Sequence, residues 1–248
     1  MSFLYRDFHD EICDAGKVKG FKCEAFARIS GYEHFALTRR GTGSGSQIYL
    51  SAGIHGDEPA GCLAILHLLR NLEFDEHNDW FLCPALNPQG LSNNTRENAD
   101  GVDLNRDYRW PVSAEVKAHI RWLAGTPPCR LYLSFHEDWE AEGFYLYELS
   151  NCAAPSIARP ILRAAGAVMP LEQKAVVDEH PLASPGYIAH PPEADDPEHW
   201  PEAIYHLSRS PHLSYTFETP SRRPMKVRVA AHVRSAEIAL EAFSRQPV

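Results

Sequence analysis

The sequence predicts an α/β protein: a single domain over residues 1–248, with a mixed, mostly parallel β-sheet flanked by helices on both faces. Two observations carry this. Short apolar runs alternate with stretches of helical spacing, as parallel strands do with their crossover helices. And 248 residues suit one core, because a domain of this size buries roughly 70–75% of the surface its unfolded chain exposes.

Taken in order, residues 1–46 read as a hairpin and a linker. Two alternating runs, Phe21–Ile29 and Tyr32–Thr38, make the hairpin. Gly41-Thr42-Gly43-Ser44-Gly45-Ser46 then reads as a flexible connection. It lacks the Gly-Lys-Ser/Thr ending of a phosphate loop, and it precedes a strand rather than following one. Gln47–Gly53 is a compact strand. Glu58–Leu72 carries leucines at helical spacing after Pro59, which suits a first helical turn. Trp80–Leu86 is a second strand, and Ser113–Leu123 a helix with Ser113 as cap. Leu131–Phe135, Phe144–Leu149 and Leu213–Phe217 are further strands; Ser156–Val168, Pro197–Leu207 and Lys226–Phe243 are further helices. Between Pro181 and Pro201 lie six prolines in 21 residues, a loop long enough to be a lid, a binding loop or a surface excursion.

The formal charge of −9 argues against nucleic acid or an anionic membrane as partner, since phosphate recognition needs clustered Lys and Arg. No stretch approaches the roughly 18 apolar residues of a membrane span, and the start, Met1 to Asp7, lacks the features of a secretory signal. A cytoplasmic location is expected. The six cysteines are scattered without a CxxC pair and read as reduced core thiols.

The chemistry-bearing residues cluster where strands end. His55 follows the Gln47–Gly53 strand, and Glu58 opens the next helix three residues later, in Gly53-Ile54-His55-Gly56-Asp57-Glu58. Both side chains can project into the crevice beyond the strand's carboxyl end, where open α/β sheets bind ligands. Imidazole and carboxylate are both zinc donors, though an HxxE pair alone recurs by chance. His136 stands at the end of Leu131–Phe135, and Glu218 is the first charged residue after Leu213–Phe217. Four polar groups at one edge of one sheet are hard to credit to surface decoration. Asn87-Pro88-Gln89-Gly90, Arg96 and Gly101-Val102-Asp103-Leu104-Asn105-Arg106 lie in loops between them.

From about Gln47 to Pro220 the ordered set of these motifs resembles the zinc carboxypeptidases (funnelins), which are related to the succinylglutamate desuccinylases and aspartoacylases. The resemblance implies one zinc per chain on His55, Glu58 and His136. It implies Glu218 as the general base and Arg96 as the group polarising the scissile carbonyl. Asn105 and Arg106 would clamp a substrate carboxylate, and Asp103 would orient His55. Two departures stand out. The 78 residues from Glu58 to His136 look short beside the large digestive carboxypeptidases, so specificity loops are expected to be trimmed. No substrate-capping tyrosine aligns, leaving Tyr187 or Tyr205 as candidates.

The expected function is hydrolysis of an amide next to a free carboxylate in small peptides, cell-wall peptides included. An N-acyl amino acid deacylase would use the same metal and base. A zinc-binding protein without catalysis is a third reading, against which the intact Glu218 counts. Glu137 and Asp138 adjoin a ligand and could recruit a second metal, but a solvated acidic turn is the expected role. The sequence leaves the oligomeric state open.

Overall fold

A computed structural model describes residues 3–43 and 45–246; Ser44, within the expected flexible connection, and Met1 and Ser2, at the start read for a signal, lie outside the described residues. The predicted hairpin is present as β1 (Lys22–Ile29) and β2 (Tyr32–Arg39). It is preceded by a helix absent from the predicted elements, α1 (Tyr5–Val18). That helix buries Tyr5, Phe8, Ile12, Cys13 and Gly16, a spacing of three and four that marks one helical face. Residues 3–43 are therefore no mere lead-in, because β2 pairs with the main sheet and α1 packs into its core.

The centre of the sheet is β3 (Gln47–Ala52), β4 (Asp79–Cys83), β5 (Leu131–Asp138) and β10 (Leu213–Pro220), all mutually parallel. With β6 (Tyr145–Ser150) and β9 (Tyr187–His190), the eight strands run in the order β1-β2-β4-β3-β5-β10-β6-β9. β4 stops earlier than the predicted Leu86 because Pro84 has no N–H to continue the ladder. Conversely, β5 and β10 each run three residues past their apolar runs. His136-Glu137-Asp138 pairs in register with Glu218-Thr219-Pro220, so these polar residues lie within strands rather than after them.

Side chains of a strand alternate between faces. Leu131, Leu133, Phe135, Tyr215 and Phe217 share one apolar cluster with α1, α2 (Ala60–Asn71), α5 (Ala158–Gly166) and α7 (Met225–Ser244). Tyr49 and Tyr132 sit in a second cluster with α4 (Ala114–Ala124) and α6 (Glu202–Arg209). Ser113 caps α4, its side chain accepting from the Val116 amide. α6 starts five residues later than predicted, directly after Pro201.

Cys62, Cys83 and Cys129 are buried free thiols and Cys152 is a half-buried one, but Cys13 and Cys23 form a disulfide between α1 and β1. The expectation of six reduced thiols fails for this pair because the undetected helix brings their Cα atoms to 5.7 Å, within disulfide reach. Among the described residues no helix is long and apolar enough to cross a membrane.

Candidate metal centre

From β3 the chain passes through α2 to β4 on one side, whereas β5 lies on the other. The strand order thus reverses between β3 and β5, the place where such sheets open a crevice at their carboxyl ends. His55 leaves β3 there, Glu58 sits in the turn before α2, and His136 and Glu218 are direct register partners on β5 and β10.

The turn that carries His55 is held by backbone contact. A Cβ added to Gly56 would lie 2.0 Å from the Gly90 carbonyl carbon, so the turn fits against Asn87–Gly90 only with glycine. The Gly56 amide donates to the Arg96 carbonyl, and the Asn87 side chain accepts from the Gly90 amide while donating to the same Arg96 carbonyl. Gly53, at φ +63°, makes the exit from β3, a conformation that strains any side-chain-bearing residue.

Glu58 is the hub. Its Oε1 lies 2.7 Å from His55 Nδ1 and its Oε2 lies 3.0 Å from His136 Nδ1. One ligand atom from each of the three residues falls within 4.8 Å of the others, and all three residues are buried. Two imidazole nitrogens and a carboxylate oxygen are a fitting donor set for zinc. Behind them, Asp103 Oδ1 stands 3.2 Å from His55 Nε2, and Asp103 Oδ2 accepts from Nε and Nη2 of Arg96. Arg96 also donates to Glu58 Oε1 at 3.4 Å.

The charges follow from these contacts. Burial disfavours a charged His55, but Glu58 and Asp103 outweigh it and raise its pKa to about 9. His136 has only Glu58 as an acidic contact, so burial wins and its pKa falls. Glu58 and Asp103 stay ionised despite burial, because both face His55. Glu218 is pushed well above the usual carboxylate range by burial, then by Glu58, Asp138 and Asp178. Beside a divalent cation the same carboxyl would ionise.

All of these side chains except Asp103 line one open cavity of about 720 Å³, together with Asn105 and Arg106. Asn105 Oδ1 accepts from the Glu202 amide, which leaves the Asn105 N–H groups as its donors. The proline-rich segment supplies the facing wall through His190, Asp195, Asp196 and His199.

Neither candidate capping tyrosine reaches the cavity lining. The Tyr187 hydroxyl donates to Glu148, and Tyr205 packs on Tyr108. The tyrosines that do line it are Tyr132, Tyr145 and Tyr147. Glu137 is not a solvated acid either: it is 5% exposed, accepts from the Ala60 amide and pairs with Arg228. Asp138 accepts from Tyr145 and the Glu140 amide. Neither joins a metal-binding group among the described residues.

Sequence reasoning also missed Glu202. It is 1% exposed and accepts hydrogen bonds from Tyr49, Ser51 and Tyr132, anchoring α6 to the polar face of the sheet. A helix-opening Pro-Glu pair is normally solvated, and only the strand alternation of Tyr49/Ser51 hinted at a buried polar partner.

The fold and the position of the site define a metallocarboxypeptidase-like α/β protein. Residues 44–183 match the succinylglutamate desuccinylase/aspartoacylase catalytic domain, and the chain belongs to that family. It is similar in structure to a candidate metallopeptidase from Shewanella amazonensis SB2B, at 21% identity over 96% of this chain and 92% of that one, with a TM-score of 0.83. A metallo-carboxypeptidase from Pseudomonas aeruginosa, solved with (2-guanidinoethylmercapto)succinic acid, is 20% identical over 97% and 70% of the two chains, with a TM-score of 0.69. Carboxypeptidase SOL1 of Arabidopsis thaliana is 35% identical over 91 residues, 28% of this chain and 18% of that protein, so the match spans less than a fifth of that relative.

Proposed function

We propose that the chain is a zinc-dependent carboxypeptidase-type hydrolase that cleaves an amide bond next to a free carboxylate in small peptides, cell-wall peptides among the candidates. The observation that carries the reading is the single open cavity in which the His55–Glu58–His136 group, Glu218 and the Asn105–Arg106 pair share one space.

His55, Glu58 and His136 would hold the metal. Zinc so held supplies Lewis-acid chemistry, polarising a carbonyl and lowering the pKa of water towards ~7. Glu218, on the adjacent strand, takes the proton of the attacking water and returns it to the leaving nitrogen. Arg96 stabilises the oxyanion that develops on the carbonyl. Asp103 holds the His55 ring through Nε2 and so keeps Nδ1 available as the donor. Arg106 offers a planar fork to the substrate carboxylate, and Asn105 adds an N–H donor beside it.

The test compares a peptide bearing a free C-terminus with its C-terminal amide. Wild type should prefer the acid, and Arg106→Ala should lose about 10–150-fold in kcat/KM on it, the worth of a charge-assisted hydrogen bond of roughly 1.5–3 kcal/mol. Equal hydrolysis of acid and amide by wild type would remove the carboxypeptidase reading.

The family match favours a second reading, a deacylase of N-acyl amino acids. A panel of acyl amino acids and peptides under the same conditions separates the two by relative kcat/KM. The cavity of about 720 Å³ has room for a small peptide, being within the range that holds drug-sized ligands.

A further inference from the structure

On the wall facing the His55–Glu58–His136 group, three more ligand-type side chains converge. His180 opens β8 (His180–Pro181), the second strand of a short hairpin with β7 (Val176–Val177); His190 ends β9, and Asp195 follows in the proline-rich segment. All three line the cavity, and one ligand atom from each lies within 4.8 Å of the others. Both imidazoles aim Nε2 at the same carboxylate oxygen, Asp195 Oδ2, at 3.3 Å from His180 and 3.2 Å from His190. The two rings meet edge to face at 4.6 Å between centroids, and each also packs edge-on against Tyr147. Tyr147 is itself fixed, its hydroxyl donating to Asp178 Oδ2.

The tautomer of His190 shows what the cluster suits. Its Nδ1 lies 2.6 Å from the Pro191 carbonyl oxygen. A carbonyl can only accept, so Nδ1 carries the proton. In the neutral ring Nε2 then presents a lone pair to Asp195 Oδ2, which is also an acceptor. Two acceptors at 3.2 Å repel each other unless positive charge sits between them, either a proton on the imidazolium or a metal ion. Because His180 Nε2 converges on the same oxygen, one ion would serve all three groups. An imidazole that donates Nδ1–H to a backbone carbonyl and offers Nε2 to a metal is a common arrangement of protein ligands.

We propose that His180, His190 and Asp195 form a second divalent-metal site, distinct in every ligand from the His55–Glu58–His136 group. Two imidazoles and one carboxylate suit a zinc-class ion rather than calcium or magnesium, which take oxygen donors. Three protein ligands leave a coordination position for the cavity. An ion there ties the β7–β8 hairpin, β9 and the proline-rich segment together and gives this wall a cationic point for an anionic group of the substrate.

The experiment titrates metal-stripped full-length protein with Zn²⁺ by calorimetry and counts retained metal after desalting. Wild type should bind two ions per chain, His190→Ala one, His55→Ala one, and the double variant none. Asp195→Ala guards against misfolding, since that carboxylate is 66% exposed; it should weaken one ion at least 10-fold and leave the other unchanged. A single wild-type ion that survives both His180→Ala and His190→Ala overturns the second site. A single ion lost in His190→Ala but kept in His55→Ala upholds it and instead removes the metal assignment at His55.

Discussion

The two faces of β5 and β10 share the same backbone and do opposite work. On one face Phe135 and Phe217 are 1% and 0% exposed and pack with tilted rings 5.7 Å apart between centroids, against α2 and α7. On the other, one residue further along each strand, His136 and Glu218 sit side by side in register. Core and chemistry are therefore separated by a single step along the chain. A slip of one residue in either strand would drive that strand's polar group into the apolar layer and turn its phenyl ring towards the cavity. The large apolar face thus fixes the register that the polar face depends on.

The sharpest way to break this comparison is to change one face and read the other. Glu218→Gln should lower kcat by ~10²–10⁴-fold, the usual worth of a general base, with metal content and melting temperature near wild type. A variant that keeps its rate would strip Glu218 of that role, and one that loses the metal would make it a ligand. Phe217→Ala should do the converse. Removing a fully buried ring costs about 3–5 kcal/mol in urea unfolding, while kcat per folded molecule holds. A loss well below that range would mean that this face does not set the register.

A smaller effect is expected from the loop that supports the polar face. Asp103→Asn should weaken zinc by about 10–100-fold in a chelator competition, because the replacement holds the His55 ring less firmly and carries no charge. Unchanged affinity would make Asp103 a partner of Arg96 alone.

The smallest effect concerns Glu202, under the same face. Burial raises its pKa above the usual value, against the hydrogen bonds from Tyr49, Ser51 and Tyr132. The sign follows from linkage: its contribution to stability is fully present below the unfolded pKa of roughly 4.3 and is lost as pH rises through the higher folded pKa. The stability of wild type relative to Glu202→Gln should therefore decline from pH 4.5 upwards in denaturant titrations. A difference that stays flat or grows with pH would contradict the burial cost.

Much of this was legible in the sequence because strand alternation and strand ends are local signals. Gln47–Gly53, Leu131–Phe135 and Leu213–Phe217 located the parallel centre, and the polar residues just beyond them marked the crevice. What stayed hidden was non-local. α1 has an apolar spacing of three and four, but its charged face gives it a polar mean that masks the stripe. The burial of Glu137 depends on Arg228, 91 residues away, and that of Glu202 on Tyr49, 153 residues away. His180, His190 and Asp195 lie in a proline-rich stretch whose turns no periodicity describes. Tyr187 failed as a capping candidate for a similar reason: its strand, β9, pairs with β6 and hands its hydroxyl to Glu148.

The backbone-to-backbone seat of Gly56 on Gly90 has a consequence for redesign. With no space for even a methyl group at that contact, the two turns form a rigid block that carries His55, Glu58 and Arg96 as one unit, and side-chain diversity introduced there would sacrifice the metal before it altered selectivity. The opposite wall, from Asp138 to Pro201, faces this block across the open cavity and has its own supports in Tyr145, Tyr147 and Glu148. A library meant to retune the substrate belongs on that wall beyond β6, because Tyr145 of β6 pairs in register with Glu218.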